Sequence, residues 1–375
     1  MNDYPLTPNP DLAVGADNKQ GWNQPERRRD GFHNLHLRAR RALMVRARNI
    51  LTLTDAPSAV TAARVRTSGL LGVPGFSALV VAEGSDVLFQ AAAPDFALDR
   101  PHSIQSVTKL HLHLIAGWLI REGRLDPSRR VSDYLPRIGS GYAGAKIEDI
   151  LDMAVENDFT EDYENPLSAC YAEEEALGLR LAPPERSETT LEDFARAITG
   201  SGARHSGPDA DYKSANSDVL TLVFARMVPF HDTLQRMADA AGYEGAFHIT
   251  LSPEGLPALS GGGCLSARDL VRFGLLLGRG GLGVDGAVVG DREYLLGAMH
   301  RDALGIRGRP GQRYSRHLMT NGRWVGHAGY GGQFLMVDPR KGRVAAFLSV
   351  IENRSGYDPA LMRDIISEME SIVFE

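Results

Sequence analysis

The stretch "HSIQSVTKLHLHLIAGWLIREG", residues 102–123, places a serine and a lysine at the start of an apolar segment. Ser106 and Lys109 are three residues apart, a spacing that puts two side chains on the same face of a helix. No helix breaker follows before Gly123, so the stretch predicts a buried helix that begins near the serine. The hydroxyl of Ser106 and the amine of Lys109 can then meet at the first turn of that helix.

A buried lysine beside a serine suits nucleophilic catalysis. Burial disfavours the charged form of an amine, so we expect the pKa of Lys109 to fall toward neutrality. The neutral amine could then accept the proton of Ser106. The Ser106 N–H would also be unpaired at the helix start, where the helix dipole favours an oxyanion. The structural alternative is a serine that caps the helix, next to a lysine that extends its ammonium to solvent.

The composition is that of an ordinary globular protein, with 43% hydrophobic and 23% charged residues in a chain of 375. A net charge of −6 does not favour a polyanionic partner, and a basic run over 38–48 is expected to be a solvated helix face. Cys170 and Cys264 form no motif. With no secretory signal or membrane-spanning run, we expect a cytoplasmic protein that binds neither nucleic acid nor membrane.

Strand-like segments lie near both ends of the chain. Two apolar runs within residues 76–93 flank a polar turn at 83–86, which is typical of a hairpin. The runs "GRWVGHAG", "GQFLMVD" and "RVAAFLSV" then predict an antiparallel meander. The sequence therefore predicts an α/β fold of the α+β type, with one central antiparallel sheet built from both ends of the chain and flanked by helices.

Helical patterns fill most of the remaining chain, and those in the middle predict an inserted helical domain. They cover residues 32–53, 147–154, 190–199, 214–227, 231–241, 267–277 and 359–373. We therefore divide the chain into three parts: a flexible N-terminal arm over residues 1–30, a sheet domain made of residues 31–125 and 255–375, and a helical domain over 126–254. The active site is expected in the cleft between the sheet domain and the helical domain.

Two later motifs supply further polar groups. "PDADYKSANSDVL" places Tyr212 just before a helix that begins near Ser214, and "WVGHAGYGGQFLMVDP" places His327 and Gly329 at a strand that leads into a glycine-rich bend. The order of a serine–lysine pair, a tyrosine and a His-x-Gly triplet is that of penicillin-recognising serine hydrolases.

The chain therefore resembles the class C β-lactamase-like and D-Ala-D-Ala carboxypeptidase-like hydrolases, and within them the 6-aminohexanoate-dimer (nylon-oligomer) hydrolases. The resemblance rests on "SVTK" with "EGRLDP", "ILDM" with "TEDY", "YKSANSDVL", "GGGCLSARDL" and "GYGGQFLMVDP", over about residues 70–350. It implies a β-lactamase/transpeptidase-like fold and a serine hydrolase that needs no cofactor and no metal.

The resemblance also assigns catalytic groups. It implies that Ser106 is the acylating nucleophile, that Lys109 is its base and that Tyr212 is a second proton carrier. The backbone N–H groups of Ser106 and Tyr330 would form the oxyanion hole. Six further residues are expected to bind substrate: Tyr163, Glu174, Ser214, Ser260, His327 and Gly329.

Some of these positions depart from the family pattern. Ser214 stands where many class C relatives have asparagine, and Ser260 where an efficient nylon-oligomer hydrolase is expected to have asparagine. His327 replaces a lysine that anchors the carboxylate of β-lactams. Tyr163 matches a tyrosine that contacts the leaving amide nitrogen, and Glu174 falls where an acidic residue meets a substrate amine.

The resulting hypothesis is a serine hydrolase that cleaves a small linear amide through an acyl-enzyme on Ser106. A carboxylesterase or an acyltransferase with the same site is the alternative, and a penicillin-binding-type sensor that acylates without turnover is a second one. The expected partner is a small-molecule amide or ester, and a homodimer is left open. The acidic runs "EDYE" and "AEEEA" are expected to be solvated charge, with the lining of a cationic substrate pocket as the alternative.

Overall fold

The computed structural model describes residues 22–165, 167–183 and 185–375, which form a nine-stranded sheet, a four-stranded sheet and the helices around them. The strands are β1 (Ala42–Arg46), β2 (Thr54–Asp55), β3 (Phe76–Glu83), β4 (Asp86–Ala92), β5 (His102–Ser103), β6 (Ala246–Thr250), β7 (Gly263–Leu265), β8 (Gly305–Ile306), β9 (Arg309–Ser315), β10 (Leu318–Thr320), β11 (Val325–Gly329), β12 (Gln333–Asp338) and β13 (Arg343–Ser349).

The helices are α1 (Pro25–Arg38), α2 (Ala59–Ser68), α3 (Leu110–Arg121), α4 (Val131–Tyr134), α5 (Ser140–Ala143), α6 (Ile147–Leu151), α7 (Ala169–Ala176), α8 (Leu191–Ala197), α9 (Ser214–Ala225), α10 (Phe230–Ala241), α11 (Ala267–Gly278), α12 (Arg292–His300) and α13 (Pro359–Val373), with 3₁₀ turns at Leu70–Gly72 and Gln105–Lys109. In the described ranges, no helix combines the length and the apolar character that a membrane span requires.

The large sheet has the strand order β2-β4-β3-β13-β12-β11-β10-β9-β8 and is antiparallel except for the short β2–β4 pair. The expected hairpin is β3–β4, the expected meander is β11–β12–β13, and β13 joins the two through pairs such as Val80 with Ala346. The prediction of one antiparallel sheet built from both ends of the chain is therefore confirmed.

Each face of this sheet is covered by one main helix. Because side chains alternate between faces along a strand, Leu79 of β3 packs in one apolar cluster with Ile365 of α13, while Val80 packs in another with Phe273 of α11. Helix α13 begins and ends at the predicted residues 359 and 373. The cleft described below lies along the β11 side of this sheet.

The predicted helix over residues 32–53 is wrong beyond residue 38. Helix α1 ends at Arg38, and residues 42–46 form strand β1, which pairs with β6 in the order β1-β6-β7-β5 of the small sheet. Backbone pairing with a strand about 200 residues away overrides the local helical pattern, which sequence periodicity cannot reveal. Of the predicted flexible arm, residues 1–21 lie outside the described residues, whereas residues 25–30 belong to α1.

The 3₁₀ turn Gln105–Lys109 carries the serine–lysine pair and connects β5 to the buried helix α3. Gln105 has a φ of +48°, a left-handed conformation uncommon for a residue other than glycine. This sharp change of direction at the start of the turn presents Ser106 to the cleft while Lys109 is buried behind it.

Candidate active site

Lys109 is fully buried and its ammonium reaches three oxygen atoms. It donates to the Ser106 hydroxyl at 3.0 Å, to the Ser214 hydroxyl at 3.0 Å and to the Ser260 carbonyl at 2.5 Å. The acceptors come from the 3₁₀ turn, the first residue of α9 and the loop before β7. The predicted contact between Ser106 and Lys109 is therefore present in the structure, and it is fixed by two other segments of the chain.

The expectation that Lys109 would be uncharged is contradicted. Burial by itself lowers the pKa of Lys109, but the interaction with the Tyr212 oxygen and the negative charge of Glu161 outweigh it, so the net direction is upward. Three oxygen acceptors around the amine also favour the ammonium form. Lys109 is therefore protonated in the resting site.

Tyr212 lies directly beside this pair. The Lys109 nitrogen is 5.1 Å from the centroid of the Tyr212 ring, and the Tyr212 hydroxyl is buried with no hydrogen-bond partner among the described residues. Burial raises the pKa of Tyr212 most, and Lys109 and Ser106 offset part of that rise. The phenol is thus protonated in the resting site and free to exchange its proton with a reacting group.

Glu161 is a site residue that the sequence analysis missed. It accepts from the Ser214 N–H at 2.8 Å and from the Ser214 hydroxyl at 3.0 Å, so Ser214 connects Glu161 to Lys109. The Tyr163 hydroxyl also donates to Glu161, at 3.1 Å. Glu161 belongs to the "TEDY" run, in which the sequence analysis assigned a role to Tyr163 alone. Glu161 and Lys109 are far apart in the sequence, so no local pattern indicates that the carboxylate acts on the lysine.

Two backbone N–H groups of residues that line the cleft have no acceptor within the described ranges. Within the described ranges, neither the Ser106 N–H nor the Tyr330 N–H donates to another group. Gly329 allows the end of β11 to approach the serine turn, because a Cβ at that position would lie 2.7 Å from the Ile104 carbonyl oxygen and 2.9 Å from Gln333 Cβ. A position between two such donors suits a developing oxyanion.

His327 does not line the cleft. Its ring is fully buried, donates from Nδ1 to the Ala328 carbonyl at 2.6 Å and accepts from the Tyr314 hydroxyl at Nε2, at 3.1 Å. Burial, followed by the charge of Lys109, holds the pKa of His327 well below its usual value. The imidazole is therefore neutral and hydrogen-bonded inside the protein. His327 was expected to contact substrate directly, and the structure does not place it in the cleft wall.

The remaining predicted substrate-binding residues have diverse surroundings. Tyr163 lines the cleft, with its ring centroid 4.7 Å from that of Tyr330. Glu174 is buried in an ion pair with Arg180 at 3.0 Å and lies outside the cleft wall. Its carboxylate was expected to meet a substrate amine and is instead paired with the Arg180 guanidinium. Ser260 contributes its carbonyl to Lys109, while its hydroxyl is buried without a partner among the described residues.

A pair of buried carboxyl groups lies behind Lys109. Glu173 and Asp218 are 3% and 1% exposed, and their carboxyl groups are in hydrogen-bonding contact with each other. Burial, followed by the charge of Asp218, raises the pKa of Glu173 well above its usual value, so the pair shares one proton and keeps one negative charge.

The cleft has a volume of about 450 Å³, which suits a small molecule. Its wall includes Ser106, Tyr212 and Tyr330, with apolar contributions from Met319 and Met362. The residues of the "EDYE" run also line it. Arg307 and Arg309 form a basic part of the same wall, which the sequence analysis did not foresee. No metal-holding cluster of His, Cys, Asp or Glu occurs among the described residues.

Comparisons with known proteins agree with this geometry. The family model described as Beta-lactamase matches residues 64–365. A 6-aminohexanoate-dimer hydrolase of Paenarthrobacter ureafaciens is 32% identical over 288 residues, which cover 72% of each chain.

Solved structures share the fold. A Bacillus anthracis protein described as a candidate 6-aminohexanoate-dimer hydrolase superposes with a TM-score of 0.79 at 17% identity, over 98% of this chain and 97% of that one. EstCE1, described as a hydrolase with promiscuous acyltransferase activity, superposes with a TM-score of 0.60 at 17% identity, over 84% of this chain and 98% of its own. These likenesses establish the expected β-lactamase/transpeptidase-like fold.

Proposed function

The chain belongs to the β-lactamase family of serine hydrolases, and from this we propose that it cleaves a small linear amide through an acyl-enzyme on Ser106. The observation that carries the proposal is the 3.0 Å contact between the Lys109 ammonium and the Ser106 hydroxyl, at the wall of a cleft of about 450 Å³. The identity with a 6-aminohexanoate-dimer hydrolase supports an amide as the substrate.

Activation of Ser106 begins with the loss of one proton from the Lys109–Tyr212 pair. Both groups are protonated at rest, so the reactive enzyme is the fraction in which one of the two has lost its proton. The Ser106 proton then passes along the 3.0 Å contact to the lysine nitrogen once that nitrogen has lost its proton, or to the adjacent Tyr212 oxygen once the phenol is ionised. Proton transfer of this kind contributes about 10²–10⁴-fold to a rate.

The attacked carbonyl carbon becomes tetrahedral and its oxygen becomes negative. The free N–H groups of Ser106 and Tyr330 are the donors that would stabilise that oxygen, and each such donor contributes about 10²–10³-fold. The bond between the Ser106 oxygen and the acyl carbon is already present at this stage, and collapse of the tetrahedral species re-forms the carbonyl and breaks the bond to the leaving group.

An amide nitrogen must be protonated as it leaves, whereas an aryl alcohol leaves without that help. Tyr212 has an unpartnered phenol in the cleft wall, so it can deliver this proton, which favours amide cleavage over ester cleavage alone. The Tyr163 hydroxyl already donates to Glu161 and is therefore the less available candidate for this transfer. Water then attacks the acyl-enzyme and the same pair takes its proton. The pair returns that proton to the Ser106 oxygen as the bond to the acyl carbon breaks and the acid is released.

A matched pair of substrates tests the proposal. Butyryl 4-nitroanilide and 4-nitrophenyl butyrate share one acyl group and differ in the leaving atom. We expect wild type to turn over both and Ser106→Ala to turn over neither. Turnover of the ester alone would replace the amidase with the carboxylesterase, product transfer to an added amine would indicate an acyltransferase, and one acylation without turnover would indicate a sensor.

A further inference from the structure

Arg28 of α1 is a buried cation that donates mainly to backbone carbonyls of a distant loop. The residue is 2% exposed. Its Nη1 donates to the carbonyls of Ile351 and Asn353 at 2.8 Å and 2.7 Å, and its Nη2 donates to that of Arg354 at 3.5 Å. Its Nε donates to Asn23, and none of these acceptors among the described residues is a carboxylate. Removing a guanidinium from water is costly unless its donors are satisfied, so these bonds tie α1 to the loop after β13.

That loop, residues 351–356, holds the turn that follows β11. The Ile351 N–H donates to the Gly331 carbonyl at 3.0 Å, and the Gly331 N–H donates to the Gly356 carbonyl at 3.1 Å. Gly331 directly follows Tyr330, whose N–H is one of the two proposed oxyanion donors. Because both backbone polar groups of Gly331 are bonded to the loop, the loop also restrains the backbone of Tyr330.

The Tyr330 ring is in contact with the same arginine. The Arg28 guanidinium carbon lies 5.4 Å from the centroid of the Tyr330 ring, a distance typical of a cation–π interaction. Phe32, one helical turn later in α1, has its ring centroid 6.1 Å from that of Tyr330. Arg28 therefore reaches Tyr330 in two ways, directly at its ring and through the 351–356 loop at its backbone.

We propose that Arg28 is a positioning residue for the oxyanion hole, which fixes Tyr330 so that its N–H points to the oxygen of the reacting carbonyl. Arg28 itself does not line the cleft, so it acts only through Tyr330. An oxyanion donor contributes about 10²–10³-fold when it is held in place before the reaction, and a displacement of about 1 Å can cost ~10²-fold. This inference rests on the proposed function, since it concerns the oxyanion of the same acyl transfer. The alternative is an arginine that stabilises the fold and has no effect on the chemistry.

Substitution of Arg28 separates these two roles. Arg28→Met removes the donors and keeps an apolar stem, and the exposed Arg27→Met on the same helix is the matched control. Hydrolysis of 4-nitrophenyl butyrate is measured well below the Tm of each variant, and kcat is expressed per site titrated with a fluorophosphonate, so that a loss of folded protein does not alter it. We expect kcat to fall about tenfold or more in Arg28→Met, with KM within about threefold of wild type, and to stay at the wild-type value in Arg27→Met.

Arg28→Lys keeps the charge near the Tyr330 ring but bonds fewer carbonyls at once, so its kcat should lie between those of wild type and Arg28→Met. This variant also decides the question if Arg28→Met does not fold, because a wild-type kcat in Arg28→Lys would then overturn the proposal. A wild-type kcat per site in Arg28→Met, whatever the fall in Tm, would overturn it as well.

A double variant tests whether Arg28 acts through the Tyr330 N–H. Gly329→Ala is expected to displace the same donor, so adding Arg28→Met to it should lower kcat by no more than about threefold further. Losses that multiply independently would show that Arg28 acts on something else and would overturn the proposal.

The rate of fluorophosphonate labelling does not depend on turnover. The phosphoryl oxygen needs the same donors, so Ser106 should be labelled about tenfold or more slowly in Arg28→Met than in Arg27→Met. If wild type hydrolysed neither the anilide nor the ester, the proposed hydrolase would fail, and slower labelling in Arg28→Met would still support the positioning role. Equal labelling rates in Arg28→Met and Arg27→Met would overturn that role even in an active hydrolase.

Discussion

The Lys109 ammonium donates to the Ser106 hydroxyl across 3.0 Å, and the same nitrogen is held by Ser214 and by the Ser260 carbonyl. These three hydrogen bonds hold the Lys109 nitrogen beside the Ser106 oxygen. The net pKa shift of Lys109 is upward in spite of complete burial, so the pair must lose a proton before Ser106 can attack.

Lys109→Met should lower kcat/KM about 10²–10⁴-fold while the protein stays folded, because the substitution removes the amine and keeps an apolar side chain of similar length. Circular dichroism and a thermal melt establish folding, and steady-state hydrolysis of 4-nitrophenyl butyrate measures the loss. The exposed Lys341→Met is the matched control and should keep wild-type activity. A Lys109→Met enzyme within threefold of wild type would remove the lysine from the mechanism.

Glu161→Gln should move the rising limb of the kcat/KM–pH profile to lower pH. The Glu161 carboxylate raises the pKa of both Lys109 and Tyr212, and the reactive form is the one that has lost a proton from this pair. Removing the negative charge lowers both pKa values, so the reactive form appears at a lower pH. Rate profiles of wild type and variant over pH 5–10 measure this shift.

The exposed Glu164 supplies the control for that experiment, because it lines the same cleft but does not bond to Ser214. Glu164→Gln should leave the pH of the rising limb in place. An unchanged limb in Glu161→Gln, or a shift to higher pH, would contradict the electrostatic relationship between Glu161 and the Lys109–Tyr212 pair.

Gly329→Ala should lower kcat about 10²–10³-fold with a smaller change in KM. The new Cβ would lie 2.7 Å from the Ile104 carbonyl oxygen, which forces β11 away from the serine turn and displaces the Tyr330 N–H. Gly72→Ala is the control, since a Cβ there meets nothing within 4 Å. If Gly329→Ala retained full kcat, the Tyr330 N–H would not be an oxyanion donor.

Glu173→Gln should stabilise the protein progressively as the pH rises. The raised pKa of Glu173 means that the folded chain keeps a proton that the unfolded chain releases, so wild-type stability declines with rising pH. One extra bound proton corresponds to about 1.4 kcal/mol per pH unit. The variant donates an amide N–H to Asp218 at every pH. Thermal melts at pH 5 and pH 8 should therefore show a difference in Tm that grows in favour of the variant, and a constant difference would refute the shared proton.

Much of the site could be predicted because its signals are local. The spacing of Ser106 and Lys109 needs no knowledge of distant segments, and Tyr212 and Gly329 lie in short motifs that a family resemblance can identify. The same holds for the hairpin, the meander and α13, whose apolar periodicity reflects burial on one or both faces.

The remainder depends on contacts between distant segments. Glu161 reaches Lys109 through Ser214, and Arg28 bonds to a loop 323 residues further along the chain, which the sequence of its own helix cannot indicate. The pKa of Lys109 was predicted in the wrong direction because burial was visible in the sequence, whereas the contact with the Tyr212 oxygen and the charge of Glu161 were not.

Intact-mass analysis after treatment with a fluorophosphonate tests the central claim most directly. Wild type should gain the mass of one adduct, Ser106→Ala should gain none, and Lys109→Met should react far more slowly than wild type. An adduct that forms equally in wild type and in Ser106→Ala would contradict the assignment of the nucleophile and the account of the site built on it.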